Sequence, residues 1–170
     1  MENRKIRVGI THGDINGVGY EVILKTFSDP TMLELCTPVV YGSPKVAAYH
    51  RKAMEIQTSF SIVNSAEEVQ DGRVNVVNCI EEELKVELTK PTPEAGKAAL
   101  AALERALADY REGLFDVLVT APINKHTIQS DAFHFPGHTE YIEERVGGGQ
   151  KALMILLKGD FRVALVTGHV

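Results

Sequence analysis

Hydrophobic and polar residues follow two different periods along the chain, which predicts alternating strands and helices. Short apolar runs predict strands at 5–11, 37–42, 60–64, 73–78 and 116–122. Apolar residues at helical spacing predict helices at 19–28, 43–56, 92–113 and 139–147. Elements that alternate in this way are typical of an α/β protein with a largely parallel sheet.

Capping residues mark the ends of the predicted helices. Ser43 precedes Pro44, and Thr92 precedes Pro93, which is the order expected at a helix start. Gly113 is placed to end the longest helix. For the helix near residue 139, the sequence predicts that Thr139 or His138 is the cap.

The last twenty residues predict a hairpin. Two apolar strands within 151–168 are joined at "KGD", which suits a tight turn. The hairpin adds an antiparallel pair, so we predict a mixed, largely parallel sheet with flanking helices. Because the sequence stops directly after an apolar strand, we expect residues 1–170 to be one α/β unit, the N-terminal part of a longer protein.

Composition and charge narrow the class of ligand. The 170 residues are 44% hydrophobic and 24% charged, as in ordinary globular proteins. The net charge is −5, and no cluster of Lys or Arg stands out, which gives nucleic-acid binding little support. A small anionic substrate remains compatible, because a pocket can be positive on an acidic protein.

Cysteine use and hydropathy favour a cytoplasmic protein. Cys36 and Cys79 are far apart and match no metal or redox spacing, so we expect reduced thiols. The N-terminus has no signal-peptide pattern, and no apolar window reaches the length of a membrane span.

The glycine-rich segment 13–21 follows the first predicted strand and opens a helix. Ligands of open α/β sheets bind beyond the carboxyl ends of the strands. Glycines allow close approach to a ligand, and the N–H groups of a helix start favour anions. The segment matches neither the dinucleotide fingerprint nor the P-loop. A tight strand-to-helix turn explains the glycines equally well.

Two further segments carry candidate polar groups. Lys125, which follows Asn124 at the end of the strand 116–122, is suited to bind an anion or move a proton, and equally to be a solvated surface lysine. His138 and Thr139 lie at a predicted helix start, where they either contact an anion or simply cap the helix.

His169 ends the last predicted strand and is a candidate metal ligand or general base. A catalytic metal usually needs three protein ligands, so one histidine does not make a site. The other histidines show no spacing that completes it: His12, His50, His126 and His134. Any partners of His169 are therefore expected beyond this chain or on another subunit.

Taken together, these segments resemble a known family along nearly the whole chain. "ITHGDINGVGYEVILK", "EAGKAALAALERAL", "DVLVTAPINKHTI", "FPGHTEYIEER" and "RVALVTGHV" are similar, in this order, to the N-terminal half of 4-hydroxythreonine-4-phosphate dehydrogenases of vitamin B6 biosynthesis. "TAPINK" followed by "FPGHTE" is the most specific part.

The resemblance implies a fold and an activity. The fold is that of isocitrate and isopropylmalate dehydrogenases, with two α/β lobes, and the enzyme is a homodimer. It oxidises 4-hydroxythreonine 4-phosphate with NAD or NADP, and the product loses carbon dioxide, on the route to pyridoxal phosphate. A divalent metal (zinc, magnesium or cobalt) is implied as well.

The resemblance also assigns residues. His138 and Thr139 contact the phosphorylated substrate. His169 is the first of three metal-binding histidines contributed by both subunits, and the other two lie in the C-terminal half. Apart from these assignments, Asp14, Gly17 and Gly19 within the glycine-rich segment are the candidates for cofactor binding. Lys125 is the candidate for the general base or for an anion contact.

Departures from the family leave the substrate open. Gly168 stands where threonine is more common, and Ile15 and Tyr20 stand where proline is more common. Relatives that act on threonate or erythronate 4-phosphate therefore give an alternative substrate. The 170-residue chain alone is expected to be inactive, and if the natural chain ends at Val170 a non-catalytic binding module is the other interpretation.

Overall fold

A computed structural model describes residues 4–166 of the chain. The chain divides between His134 and Phe135 into two compact units. Among the described residues, no helix combines the length and the apolar character that crossing a bilayer requires.

The first unit is built on a five-stranded parallel sheet. Its strands are β1 (Ile6–Thr11), β2 (Cys36–Gly42), β3 (Phe60–Val63), β4 (Val74–Asn78) and β5 (Val117–Thr120). The strand order is β3-β4-β2-β1-β5, and all neighbours are parallel. β1 and β5 are paired with Thr11 opposite Thr120, so their carboxyl ends lie side by side.

Helices connect the strands of this unit. They are α1 (Gly19–Thr26), α2 (Thr31–Leu35), α3 (Pro44–Ala53) and α4 (Pro93–Arg111), with a 3-10 turn at Ala66–Glu68. The predicted caps are confirmed: the hydroxyls of Ser43 and Thr92 accept hydrogen bonds from backbone N–H groups three residues on. α2 and the 3-10 turn were not predicted, because five and three residues are too few to show a period.

The second unit contains a helix and the predicted hairpin. α5 spans His138–Val146, and β6 (Ile155–Lys158) pairs antiparallel with β7 (Phe161–Ala164). Gly159 takes a positive φ of 57° in the turn between the two strands. The α/β class with a largely parallel sheet is confirmed, and the antiparallel pair forms a separate sheet instead of extending the five-stranded one.

The start of α5 corrects one prediction. Gly137 is the N-cap, with extended backbone and no side-chain capping bond, and His138 is already the first helical residue. The prediction that His138 or Thr139 caps this helix is therefore wrong. An N-cap residue has non-helical dihedral angles, which Gly137 shows, whereas His138 and Thr139 already belong to the helix.

α4 packs closely against the sheet and against the segment that follows β5. Buried alanines on one side of the helix, Ala98, Ala102 and Ala106, allow the close approach. Near the helix start, a Cβ atom on Gly96 would lie 1.8 Å from the carbonyl oxygen of Thr127. Gly96 is therefore required because backbone occupies the space of a side chain.

A stack of three aromatic rings is buried where β1 leads into α1. The Tyr20 ring lies 5.2 Å from the His12 ring and 5.5 Å from the His50 ring, centroid to centroid. The Nε2 atom of His12 is 3.2 Å from the carbonyl oxygen of Ala98, and Nε2 of His50 is 2.8 Å from that of Ile15. Because a carbonyl only accepts, each Nε2 carries the proton. Burial lowers the pKa of His12 to about 4 and also lowers the pKa of His50.

We predict that Gly96→Ala destabilises the protein although alanine is the better helix former. Helix propensity alone would stabilise by roughly 1 kcal/mol. Overpacking against the Thr127 backbone costs about 1–3 kcal/mol and should dominate, because a backbone carbonyl cannot move aside as a side chain can. Urea unfolding measures the difference.

Gly17→Ala is the matched control for this substitution. A Cβ on Gly17 would keep 3.5 Å from its nearest neighbours, which is ordinary contact. We expect its free energy of unfolding to stay within about 1 kcal/mol of the wild type. Equal stability of the two variants would contradict the close contact at Gly96.

The His12 environment predicts a loss of stability in mild acid. The pKa of His12 falls from 6.5 to about 4 on folding, so between these values the unfolded chain binds a proton that the folded chain does not. The contribution of neutral His12 to the free energy of unfolding is present at neutral pH. It is lost as the pH falls from 6.5 to about 4. We expect a loss of about 2 kcal/mol from this group between pH 7 and pH 5.

His12→Gln is the control, since glutamine keeps an amide donor for the Ala98 carbonyl and does not titrate. Urea unfolding of this variant should depend less on pH over the same interval. Parallel pH profiles for the two proteins would show that His12 is not the group that titrates.

Candidate functional site

The loops after β1 and β5 meet at the carboxyl edge of the sheet. The backbone N–H of Asp14 donates to the carbonyl of Pro122 at 2.8 Å, and Ala121 donates to Thr11 at 3.0 Å. Gly13 has a φ of 71°, and a Cβ atom there would lie 2.3 Å from the Pro122 oxygen. The two loops therefore meet at one edge of the sheet.

Asn16 fixes the centre of the glycine-rich loop. Its side-chain oxygen accepts from the N–H of Glu87 at 2.8 Å. Its amide nitrogen donates to the carbonyl of Lys90 at 2.9 Å and to the hydroxyl of Thr92 at 3.2 Å. The loop is thereby tied to the N-cap of α4. The sequence interpretation missed this role, and an Asn between glycines gave no signal for it.

The three cofactor candidates differ in their surroundings. Asp14 is half-buried, and its carboxylate accepts from the N–H of Asn16 at 2.9 Å. Gly17 is half-buried with room for a Cβ atom, whereas Gly19 is buried and a Cβ there would lie 2.0 Å from the His12 carbonyl oxygen. Packing alone thus accounts for Gly19. The cofactor role of all three residues stays a prediction.

The start of α1 offers backbone donors next to this loop. Its N-cap, Val18, makes no side-chain capping bond. The first N–H groups of a helix have no partner within the helix and carry a partial positive charge, which favours an anion. Glu21 adds an acidic group in the first turn and is paired with Lys25. A ligand phosphate would thus meet backbone N–H groups beside an already neutralised carboxylate.

Asn124 and Lys125 follow β5 in a tight turn. The side-chain oxygen of Asn124 accepts from the N–H groups of His126 and Thr127, at 3.0 and 3.2 Å. Asn124 therefore shapes the turn, and the Lys125 side chain is exposed. Within residues 4–166, Lys125 has no ion-pair partner, so its charge remains available to an anionic ligand.

In the second unit, His138 and Thr139 occupy the first turn of α5. His138 is half-buried and Thr139 is exposed. Thr139 lines a cavity of about 350 Å³ together with Ile142 and Val146. In the same wall, Glu143 accepts from the N–H of Ala152 and from Lys151, which lowers the pKa of its carboxyl. That carboxylate is therefore paired with Lys151, and Glu140 places a second carboxylate in the first turn of α5.

The predicted metal ligand His169 lies outside the described residues. Over residues 4–166, no three His, Cys, Asp or Glu side chains come close enough together to hold a metal ion. Cys36 and Cys79 are both free thiols, as predicted, and burial raises the pKa of Cys79 to about 12. A metal role for His169 therefore stays a prediction.

Comparison with known proteins shows which family the sequence matches. Residues 34–170 match the family model of the pyridoxal phosphate biosynthetic protein PdxA. All 170 residues align with a 4-hydroxythreonine-4-phosphate dehydrogenase of Bacteroides thetaiotaomicron at 75% identity, over 47% of that protein. A D-threonate 4-phosphate dehydrogenase of Cupriavidus necator is 31% identical over 96% of the chain and 49% of its own length.

A solved structure agrees with these matches. The crystal structure of a 4-hydroxythreonine-4-phosphate dehydrogenase from Burkholderia phymatum superposes with a TM-score of 0.86 at 28% identity, covering 99% of this chain and 51% of that one. The chain thus spans about half the length of the curated relatives it matches. On the family match and the identity along the whole sequence, the chain belongs to the PdxA family of pyridoxal phosphate biosynthetic proteins.

Proposed function

We propose that the chain acts as the first half of a two-lobed dehydrogenase that oxidises 4-hydroxythreonine 4-phosphate with NAD or NADP. The observation that supports this most is the 75% identity along all 170 residues to a protein of that name. A hydride passes from the substrate's secondary alcohol carbon to the nicotinamide, and the hydroxyl proton passes to a base. The resulting 3-oxo acid then loses carbon dioxide.

His138 and Thr139 are proposed to bind the phosphorylated substrate at the start of α5. The geometry supports this role because both residues lie in the first turn of α5, where the backbone N–H groups point out of the helix start. An anion at a helix start is stabilised by those donors and by the helix dipole. The Thr139 hydroxyl adds a donor beside the cavity of about 350 Å³.

Asp14, Gly17 and Gly19 are proposed to lie against the nicotinamide cofactor at the carboxyl edge of the parallel sheet. This edge is where open α/β sheets bind ligands. Lys125, exposed in the neighbouring loop, is proposed to take the hydroxyl proton or to neutralise an anionic group of the ligands.

The remaining proposals concern groups beyond the described residues. A divalent metal, when bound, would supply Lewis-acid stabilisation of a developing oxyanion, and His169 is the residue of this chain proposed to bind it. We also propose a cytoplasmic homodimer. The metal and the homodimer rest on the resemblance to the family, and the cytoplasmic location rests on cysteine use and hydropathy.

The substrate is tested on the full-length enzyme by following reduction of NAD and of NADP. We expect 4-hydroxythreonine 4-phosphate to give at least about tenfold higher kcat/KM than D-threonate or D-erythronate 4-phosphate, because the first carries an amino group where the others carry a hydroxyl. A higher kcat/KM for either sugar acid would make that sugar acid the proposed substrate instead. No turnover with any of the three would refute the dehydrogenase proposal.

The proposed substrate-binding residues, His138 and Thr139, are tested by His138→Ala in the same enzyme. Loss of a hydrogen bond to a charged group costs about 1.5–3 kcal/mol, so kcat/KM should fall roughly ten- to a hundredfold. His134→Ala is the control, because His134 is a histidine on a nearby part of the sequence that is exposed to solvent and is not assigned to the site. Unchanged kinetics for His138→Ala would remove this residue from the site.

A further inference from the structure

The hairpin of the second unit exposes most of its apolar side chains. Leu156 and Leu157 of β6 are 57% and 66% exposed, and Phe161 of β7 is 71% exposed. Leu153 and Met154, just before β6, are exposed as well. Single apolar residues at a surface are ordinary, but a contiguous apolar patch marks an interaction surface.

Apolar residues lie on both faces of this hairpin. Successive side chains of a strand point to opposite faces, so Leu156 and Leu157 lie on different faces. An antiparallel hairpin with one solvated face alternates apolar and polar residues. Here each face is mainly apolar, with Leu156, Phe161 and Val163 on one and Ile155, Leu157 and Ala164 on the other. The pattern therefore indicates a layer that is covered on both sides.

The polar residues of the hairpin are concentrated at its turn. Lys158, Gly159 and Asp160 join the two strands, and the charged side chains of Lys158 and Asp160 are exposed. Burying an unpaired charge is costly, so we expect the turn to stay in solvent. The surface that needs cover is thus the apolar length of the two strands.

The second unit is too small to cover these faces itself. It spans Phe135–Val170, fewer than the roughly 40 residues that a chain usually needs to build a core without a disulfide, a metal or a partner. Within 135–166, the part of this unit that the structure describes, Tyr141 is the one buried residue. A two-stranded hairpin alone is only marginally stable in water. Further residues are therefore needed to complete the core.

Two occupants could cover the hairpin, and geometry favours one of them. A symmetric pair of chains uses the same patch of each copy, so it would cover one face of the hairpin and leave the other exposed. A segment of the same polypeptide can pass on both sides, and its tether keeps it at a high effective concentration. The curated relatives are about twice as long as this chain, which provides such a segment.

We propose that the β6–β7 hairpin is an interior layer of the full-length enzyme, with both faces covered by the segment of the same polypeptide that follows residue 170. The inference rests on one part of the proposed function, namely that this chain is the first half of a longer enzyme. It adds the surface through which the two halves join.

Cysteine labelling of the full-length enzyme tests each face separately. Leu156→Cys and Leu157→Cys place a thiol on opposite faces, and Asp160→Cys places one at the turn as the matched control. After subtraction of the wild-type reaction at Cys36 and Cys79, we expect maleimide to react at least about tenfold more slowly at positions 156 and 157 than at position 160. A rate at either leucine position equal to that at the turn would show that face to be uncovered and would overturn the proposal.

Photo-crosslinking identifies the occupant. With p-benzoylphenylalanine in place of Phe161 on one face, or of Leu157 on the other, we expect crosslinks within a single chain to peptides beyond residue 170. Crosslinks that join two chains would assign the surface to a second copy and overturn the proposal. Crosslinks only to residues 1–170, or none at all, would overturn it as well.

Neither measurement depends on turnover. An enzyme that gives the expected labelling and crosslinks but reduces neither NAD nor NADP would refute the proposed activity and leave the hairpin inference standing. An active enzyme with a freely labelled hairpin would do the reverse, so the two failures are distinguishable.

Discussion

The side-chain amide of Asn16 is the interaction on which the candidate site most depends. It joins the loop after β1 to the segment before α4 through three hydrogen bonds: it accepts from the N–H of Glu87 and donates to the carbonyl of Lys90 and to the hydroxyl of the N-cap residue Thr92. α4 in turn approaches the turn after β5 so closely that Gly96 has no room for a Cβ atom. That turn begins beyond Pro122, whose carbonyl accepts from the loop after β1. The loop after β1, α4 and the turn after β5 thus each contact the other two. Displacing one of these segments would disturb its contacts with both of the others.

The buried aromatic rings of His12, Tyr20 and His50 impose a second constraint. His12 and His50 stay neutral because burial penalises the imidazolium, and each uses one nitrogen to satisfy a backbone carbonyl. A hydrophobic pair would fill the same volume but leave the carbonyls of Ala98 and Ile15 without these donors. Histidine thus combines apolar packing with a backbone bond, and the lowered pKa of His12 is the reason we expect stability to fall in mild acid.

Much of the local structure could be predicted from the sequence, because local signals decide it. Ser43 and Thr92 cap their helices through bonds that span three residues, and the parallel strands follow from the alternation of elements. The contact between Tyr20 and His50 could not be predicted, since thirty residues separate them and only the packing of α1 against α3 brings them together. For α5, the predicted cap was wrong because the helix already begins at His138, which makes Gly137 the residue before it. The metal prediction at His169 lies outside the described residues.

The capping pattern of the helices distinguishes structural from candidate ligand-binding ends. α3 and α4 have side-chain caps, and at α2 the Asp29 carboxylate accepts from the N–H of Thr31 at 2.9 Å. α1 and α5 begin without a side-chain capping bond. These two helices carry the predicted cofactor segment and the predicted substrate pair, one in each compact unit. A helix start without a cap costs stability unless something else accepts from its N–H groups, and an anionic ligand can do so. The absence of side-chain caps is therefore compatible with the proposed binding of the cofactor at α1 and of the phosphorylated substrate at α5.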